Sequence, residues 1–360
     1  MRVAITGASG LVGWHIRCAL HGGGVQTVAI GRAEFHDGDQ LGAALEGCAA
    51  VIHAAGANRG KDSQVERTNV QLAEDLARAI QGESGQPLIV YLNSTQHLND
   101  TPYGRSKRIA ASVLRESGAP FLDLVLPGVF GEFGRPFYNS VVSTFCHQLT
   151  RNEQLKIHND SPVELVHAQD VADIVVSRLQ DGREGQERVE GAHLSVRELA
   201  DRLGDLHVRY QQGVVPSVSD PFQRALFNTL RSYRFPSRYP TVLEPRSDNR
   251  GRLVELSKAD TGGQTFISTT VPGITRGQHY HRRKLERFVV VEGQATISLR
   301  RMFGDEVVNF EVRGEDPVAV DMPTLVTHNV TNTGGDTLVT VFWTDEIFDP
   351  EAPDTYAEEV

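Results

Sequence analysis

The stretch Gly273–Gly293, GITRGQHYHRRKLERFVVVEG, constrains the fold of this 360-residue chain more than any other. His279 and His281 stand two apart, so on a β-strand both imidazoles project from one face. Glu286 follows five residues later, at the head of the apolar run Phe288–Val291. A turn between two strands returns its carboxylate to the side of the two histidines. Downstream, MPTLVTHNVTN contributes His328 between Pro323 and Asn332. Three imidazoles and one carboxylate suit Zn, Ni, Mn or Fe(II), so the ligand types alone leave the metal open.

Around these residues, from RSDNRGRLVEL to FWTDEIF, runs β-type alternation broken by Gly and Asp turns. That is an all-β domain over residues 244–360, of a size for one barrel. The spacing G-x5-H-x-H-x4-E-x6-G followed by P-x4-H-x3-N resembles the paired motifs of the cupin barrels. Leu325 departs from the pattern, standing where many cupins have a glycine. Asp248, Arg250 and Gly251 in DNRG resemble the opening of the dTDP-4-keto-6-deoxyhexose 3,5-epimerases, which are cupins. By that resemblance Arg250 is a candidate nucleotide-phosphate contact.

The beginning of the chain has another character. RVAIT, GASGLVG, WHIRCAL and VQTVAI read as strand, glycine turn, helix and strand. Gly7, Gly10 and Gly13 let the backbone approach a pyrophosphate, which then sits on the N-terminal N–H groups of the helix. A site selective for NAD usually has Asp or Glu at the end of the second strand; this chain has Gly31-Arg32. An arginine suits a 2′-phosphate, so NADPH is the expected cofactor. AAVIHAAG is a buried strand, VERTNVQLAEDLARAI an amphipathic helix bearing Asn69, and PLIVYLNS a strand that delivers Ser94 and Thr95 at its C-terminal end. Tyr103 and Lys107 follow at i and i+4 on a helix start, hence on one face. An ammonium there favours the phenolate and brings Tyr103 nearer to working pH. Ser94 can hydrogen-bond a substrate carbonyl beside it.

TGxxGxxG, HAAG, the Asn69 helix, the serine and YxxxK resemble, in this order, the extended short-chain dehydrogenase/reductases, over about residues 1–240. The resemblance implies a Rossmann-like doubly wound parallel sheet and chemistry on a nucleotide sugar. It makes Tyr103 the general acid or base, with Lys107 also holding the nicotinamide ribose and Asn69 among the cofactor contacts. Leu126-Pro127-Gly128 replaces the Arg-Pro of many relatives, and the short Ser94–Tyr103 spacing makes Thr95 a possible substitute. On this reading residues 1–238 are the NADPH-binding domain, and about 131–233 its small substrate lobe, with Arg135 and Asn139 as candidate UDP-sugar contacts. FPSRYPTVLEP, residues 235–245, reads as the linker.

A sugar-type reductase followed by a cupin resembles the bifunctional capsular-polysaccharide enzymes of the UDP-N-acetyl-L-fucosamine pathway. STQ, TPYGRSK, RPFYNSVVSTFC, GITRGQHYH, LERFVVVEG and the tail FDPEAPDTYAEEV carry that resemblance over essentially the full length. It implies C3 epimerisation of a UDP-2-acetamido-2,6-dideoxy-4-hexulose in the cupin, then reduction at C4. Lys284, Tyr280 or a metal-bound water are the candidates for proton transfer at C3, and Zn2+ is the expected metal. The alternative is a reductase whose cupin is a non-catalytic metal-binding module for dimerisation or sensing; a third reading is an Fe(II) oxygenase fused to a reductase. A homodimer is expected from the habit of both domain families.

Composition excludes other classes. With 39% hydrophobic and 23% charged residues the chain is globular, and its net charge of −10 argues against nucleic acid and anionic membranes as partners. No run reaches the roughly 18 apolar residues of a membrane span. Cys18, Cys48 and Cys146 lack paired spacing, so free thiols in a cytoplasmic protein are expected.

Overall fold

Strands that read as uninterrupted apolar runs need cover on both faces, and the first unit supplies it. The structure, a computed structural model, describes residues 1–35, 37–81, 86–249, 251–260 and 262–360. The chain divides into two compact units, Met1–Thr144 with Ile157–Arg197, and Phe145–Lys156 with Glu198–Val360.

In the first unit β1 (Arg2–Thr6), β2 (Gln26–Ile30), β3 (Ala50–His53), β4 (Leu88–Ser94) and β5 (Phe121–Leu126) pair in parallel. A short β6 (Gly128–Phe130) and β7 (Pro162–His167) lead to β8 (Gly185–Arg188), which completes the sheet in the order β2-β1-β3-β4-β5-β8. β9 (Ala192–Ser195) joins β6 and β7 in a separate three-stranded sheet.

The helices are α1 (Leu11–Gly22), the single-turn α2 (Arg32–Phe35), α3 (Gly38–Leu45), α4 (Asp62–Gln81), α5 (Pro102–Glu116), α6 (Val141–Thr150) and α7 (Ala168–Asp181). Ile16 and Leu20 of α1 and Val171 and Val175 of α7 pack with Val3, Ile5 and Leu122 on one face. Leu41, Leu76, Ala110 and Leu114, from α3, α4 and α5, pack with Ala4, Val51 and Ile89 on the other. This is the doubly wound parallel sheet expected from the sequence. Its strand order reverses between β1 and β3, which puts the ligand crevice at the C-terminal ends of those strands.

The second unit holds two five-stranded antiparallel sheets. One has the order β10 (Thr241–Val242), β16 (Val318–Met322), β13 (Glu286–Glu292), β18 (Leu338–Thr344), β11 (Gln264–Thr270). The other runs β15 (Val307–Arg313), β14 (Gln294–Arg301), β17 (Val326–Asn332), β12 (Thr275–Tyr280), β19 (Tyr356–Ala357). The sheets face each other: Phe288 of β13 meets His328 of β17 with ring centroids 5.7 Å apart. This is the expected cupin barrel.

Two stretches take parts that the sequence did not announce. Thr241–Val242, inside the stretch read as a linker, pairs with Val318–Ala319, where a sheet edge offers unsatisfied N–H and C=O groups. Helices α8 (Val196–Gln211) and α9 (Pro221–Arg234), read with the substrate lobe, group with the barrel from Glu198 onward. Their polar groups reach the barrel wall: Arg231 Nη2 donates to the Met322 carbonyl at 2.7 Å and Asn228 Nδ2 to that of Arg283 at 3.0 Å.

At this wall Arg287 Nε and Nη2 donate to Asp321 at 2.6 and 2.9 Å, and the Tyr210 hydroxyl also hydrogen-bonds Asp321. Burial resists ionisation of Asp321, but the guanidinium of Arg287 outweighs it and holds the carboxyl down at about 2. With an unfolded value near 3.9, this depressed group contributes stability that is complete above about pH 4 and is lost as the pH falls toward 2. Asp321→Ala strands the buried Arg287 charge and is expected to destabilise the barrel by about 3–5 kcal/mol in urea denaturation, and the joint apolar replacement Asp321→Leu/Arg287→Met to recover most of that loss.

Candidate functional site

The first candidate site lies in the crevice above β1 and β3. Gly7 has φ +66°, and a Cβ there would stand 2.8 Å from the Ala55 nitrogen. A Cβ on Gly13 would stand 2.4 Å from the Gly7 carbonyl oxygen, so the loop closes on α1 only with glycine. Gly10 donates to the same Gly7 carbonyl at 2.9 Å. The fit to a dinucleotide is that of a backbone cradle ending at a helix N-terminus. Arg32 is exposed at the start of α2, and beside it the Gly31 N–H donates to Glu34 Oε2 at 2.8 Å. Asn69 is buried and its amide is engaged: Oδ1 accepts from Ala57 N at 2.6 Å, and Nδ2 donates to Ala57 O at 2.8 Å and to Ser106 Oγ at 2.9 Å. It steadies the loop after β3 from below.

Thr101 caps α5 by accepting from Gly104 N at 3.0 Å, and Pro102 sits in the first turn, so Tyr103 opens the helix and Lys107 lies one turn on. Gly104 is required by packing, because a Cβ there would lie 2.3 Å from the Asn99 carbonyl oxygen. Lys107 Nζ donates to the Leu92 carbonyl at 2.7 Å and lies 5.9 Å from the Tyr103 ring centroid. Burial pushes the Lys107 ammonium down to about 8, and the Asp123 carboxylate opposes that fall. Burial likewise raises the Tyr103 phenol, countered by a hydrogen bond with Ser94.

Several supporting groups were not read from the sequence. His53 stacks on Tyr91 with centroids 5.7 Å apart, and its Nδ1 pairs with Thr6 Oγ1 at 2.9 Å. Burial, then the charge of Lys107, holds it neutral with a pKa of about 3. Asn93 Nδ2 donates to the buried Asp123 at 2.9 Å while its Oδ1 accepts from Ser94 N at 2.8 Å, which fixes the strand end that presents Ser94. Buried Glu132 accepts from His15 Nε2 at 3.1 Å and His167 Nε2 at 2.9 Å, so the loop after β6 is tied to the cofactor helix.

That loop carries Arg135 and Asn139. The structure adds Arg59, whose Nε donates to Asn139 Oδ1 at 3.1 Å and whose Nη1 donates to the Phe137 carbonyl at 2.7 Å. Arg59 and Arg135 lie 5.3 and 5.1 Å from the Tyr138 ring centroid. No spacing rule links Arg59 to residues some eighty positions away. Arg250 lies outside the described residues.

The second candidate site is inside the barrel. Nitrogens of His279, His281 and His328 and a Glu286 oxygen lie within 4.8 Å of one another. Glu286 Oε2 is 2.9 Å from His281 Nε2, 3.3 Å from His328 Nε2 and 3.9 Å from His279 Nε2. On their far sides His281 Nδ1 bonds the Asp354 carbonyl at 2.7 Å, and His328 Nδ1 bonds that of Val326 at 3.1 Å. A neutral imidazole donating through Nδ1 presents the Nε2 lone pair inward, as a metal ligand requires. The donor set fits a tetrahedral ion of the zinc type.

Leu325 adopts φ +61°, so the turn that many cupins build with glycine is kept here by a leucine in left-handed backbone, with its N–H on the His281 carbonyl at 2.8 Å. Lys284 is buried and its Nζ donates to the Pro353 carbonyl at 2.8 Å. Tyr280 alternates to the opposite face from His279 and His281 and stacks on Tyr356 at 5.2 Å. A cavity of about 380 Å³, lined by Arg287, Val289, Val341 and Trp343 among others, lies on the outer face of β13 and β18, away from the histidines.

These two sites sit on a chain whose residues 3–190 match the NAD dependent epimerase/dehydratase family, and the chain belongs to it. Residues 246–356 match the polysaccharide biosynthesis C-terminal domain. Among curated proteins it is similar to the UDP-2-acetamido-2,6-beta-L-arabino-hexul-4-ose reductase of Pseudomonas aeruginosa, 33% identical over 99% of this chain and 98% of that one. Among solved structures it is similar to the capsular polysaccharide assembling protein CapF of Staphylococcus aureus, with TM-score 0.61 and 29% identity over the whole of both chains. The UDP-N-acetylglucosamine 4-epimerase of Bacillus cereus, with TM-score 0.53 and 21% identity over 58% of this chain and 82% of that one, shares the fold. Among the described residues no helix is long and apolar enough to cross a membrane, and Cys18, Cys48 and Cys146 are all buried and free of disulfides.

If the four inward donors hold an ion, His281→Ala and His328→Ala will each lower metal affinity by more than the about 10–100-fold typical of losing an outer partner, as measured by chelator competition.

Proposed function

We propose that this chain is a bifunctional nucleotide-sugar enzyme. Its barrel epimerises C3 of a UDP-2-acetamido-2,6-dideoxy-4-hexulose, and its first domain then reduces the C4 ketone, in UDP-N-acetyl-L-fucosamine and capsular polysaccharide synthesis. The observation that carries this reading is the coexistence of two complete and chemically different side-chain sets. Ser94, Tyr103 and Lys107 form one; His279, His281, Glu286 and His328 form the other. The end-to-end similarity to a UDP-hexulose reductase supports the substrate class.

The order follows from chemistry. A proton at C3 is removable only while C4 is a ketone, because the carbanion then delocalises as an enolate. Reduction ends that activation, so epimerisation precedes it.

The Gly7–Gly13 backbone would hold NADPH, with Arg32 available to its 2′-phosphate, and the cofactor would supply the hydride. Tyr103 delivers its phenolic proton to the C4 oxygen, Ser94 hydrogen-bonds that oxygen, and Lys107 steadies the charge left on Tyr103. In the barrel the four donors would hold Zn2+, which supplies Lewis-acid polarisation. Lys284 or a metal-bound water takes the proton-transfer part at C3, since Tyr280 is turned to the other face.

A second reading is a reductase with a non-catalytic, metal-stiffened barrel. Four protein donors favour it, because that count closes a zinc site as structural zinc prefers. Arg135, Asn139 and Arg59 are the proposed contacts to the UDP-sugar. A cytoplasmic location is also proposed, and a homodimer, the latter supported by exposed Ile267 on edge strand β11 and Val271 just after it.

Tyr103→Phe is expected to lower ketone-dependent NADPH oxidation by about 10²–10⁴-fold while leaving C3–H exchange unchanged. Oxidation retained in this variant would remove Tyr103 from the reaction. The kcat/KM for reduction should fall as the pH rises through about 8, where the Lys107 ammonium is lost, and Lys107→Met should abolish that limb of the profile.

A further inference from the structure

The tail of the chain is built into the histidine–carboxylate centre. Asp354 is buried and adopts φ +46°, a left-handed conformation that aspartate tolerates better than most residues. Its carbonyl accepts from His281 Nδ1 at 2.7 Å. Its carboxylate accepts three consecutive backbone N–H groups, from Arg282 at 3.2 Å, Arg283 at 2.9 Å and Lys284 at 2.8 Å. These residues form the turn that carries the chain from His281 to Glu286, two of the four inward donors.

One residue thus acts on the centre twice. The anion gathers the turn's N–H groups, which fixes how far His281 stands from Glu286. The carbonyl selects the imidazole nitrogen that bears the proton, leaving Nε2 turned to the site. The rest of the tail secures Asp354. Residues 356–357 pair with Tyr280 and His279, and the Glu358 carbonyl accepts from Thr327 Oγ1 at 2.7 Å, next to His328.

We propose that Asp354 is a positioning residue of the metal centre, orienting His281 through its carbonyl and setting the His281–Glu286 spacing through its carboxylate. The inference rests on reading the four donors as a metal site.

The test is Zn2+ affinity of the full-length protein by competition with a chromophoric chelator, with thermal melting of the metal-stripped form as the companion measurement. Asp354→Ala is expected to weaken Zn2+ binding about 10–100-fold, by more than the loss of an acceptor for the turn's N–H groups lowers the stability of the metal-stripped protein. Glu351→Ala, an exposed carboxylate in the same tail, is expected to keep wild-type affinity.

Unchanged affinity in Asp354→Ala overturns the proposal, and so does a weakening matched by an equal loss of stability in the metal-stripped form. Wild-type protein that binds no Zn2+ overturns the metal reading itself, a result distinct from either. If Asp354→Ala fails to fold, nitrogen NMR of the zinc-loaded wild type decides. Ligation of His281 through Nε2 with a slowly exchanging Nδ1 proton supports the proposal, and ligation through Nδ1 overturns it.

Discussion

A carboxylate buried among three imidazoles governs the second half of this protein. Glu286 is 7% exposed, and burial alone would push its carboxyl up and leave it neutral. Its contacts with His279, His281 and His328 outweigh burial and hold it well below the usual carboxylate range. Such an arrangement persists only if the surrounding backbone holds the rings in place. The barrel meets that need with strands from both sheets, an Asp354 carbonyl on the His281 ring and a left-handed Leu325 whose N–H holds the His281 carbonyl. The same inward convergence that makes the cluster costly is the one a metal ion would need.

The first half solves a related problem with one cation. Lys107 is 8% exposed, and its ammonium has the Leu92 carbonyl, the face of Tyr91 at 4.6 Å and the charge of Asp123 to compensate for lost water. Burial lowers the Lys107 pKa to about 8, and these partners oppose that fall and keep an ammonium near the Tyr103 phenol. In the proposed function the two halves are complementary in chemistry: one would move a proton at a carbon beside a ketone, and the other would remove the ketone.

Much of this was legible in the chain because periodicity and spacing reflect local geometry. The alternation of strands and helices, with the family resemblance it carried, announced the doubly wound parallel sheet, and Tyr103 with Lys107 required only one helical turn. The two-residue step from His279 to His281 required only a strand. What stayed hidden depends on groups without a sequence signature. The partner of His281 is a backbone carbonyl 73 positions away, which any residue type supplies. Arg59 meets Asn139 across two loops. Helices α8 and α9 have clear amphipathic faces, but an apolar stripe does not name the surface that it covers. Leu325 shows the converse: the expected glycine was absent, and the backbone kept the turn through contacts that the residue type does not reveal.

The central claim is that the barrel acts on C3 before the first domain acts on C4. Proton NMR of UDP-2-acetamido-2,6-dideoxy-4-hexulose in D2O with the full-length enzyme and no NADPH tests it most directly. The account predicts loss of the C3 proton signal with wild type and with Tyr103→Phe, and its retention with His281→Ala. A C3 proton that persists with wild type, while added NADPH is still consumed, would contradict the account and leave a reductase with a structural barrel.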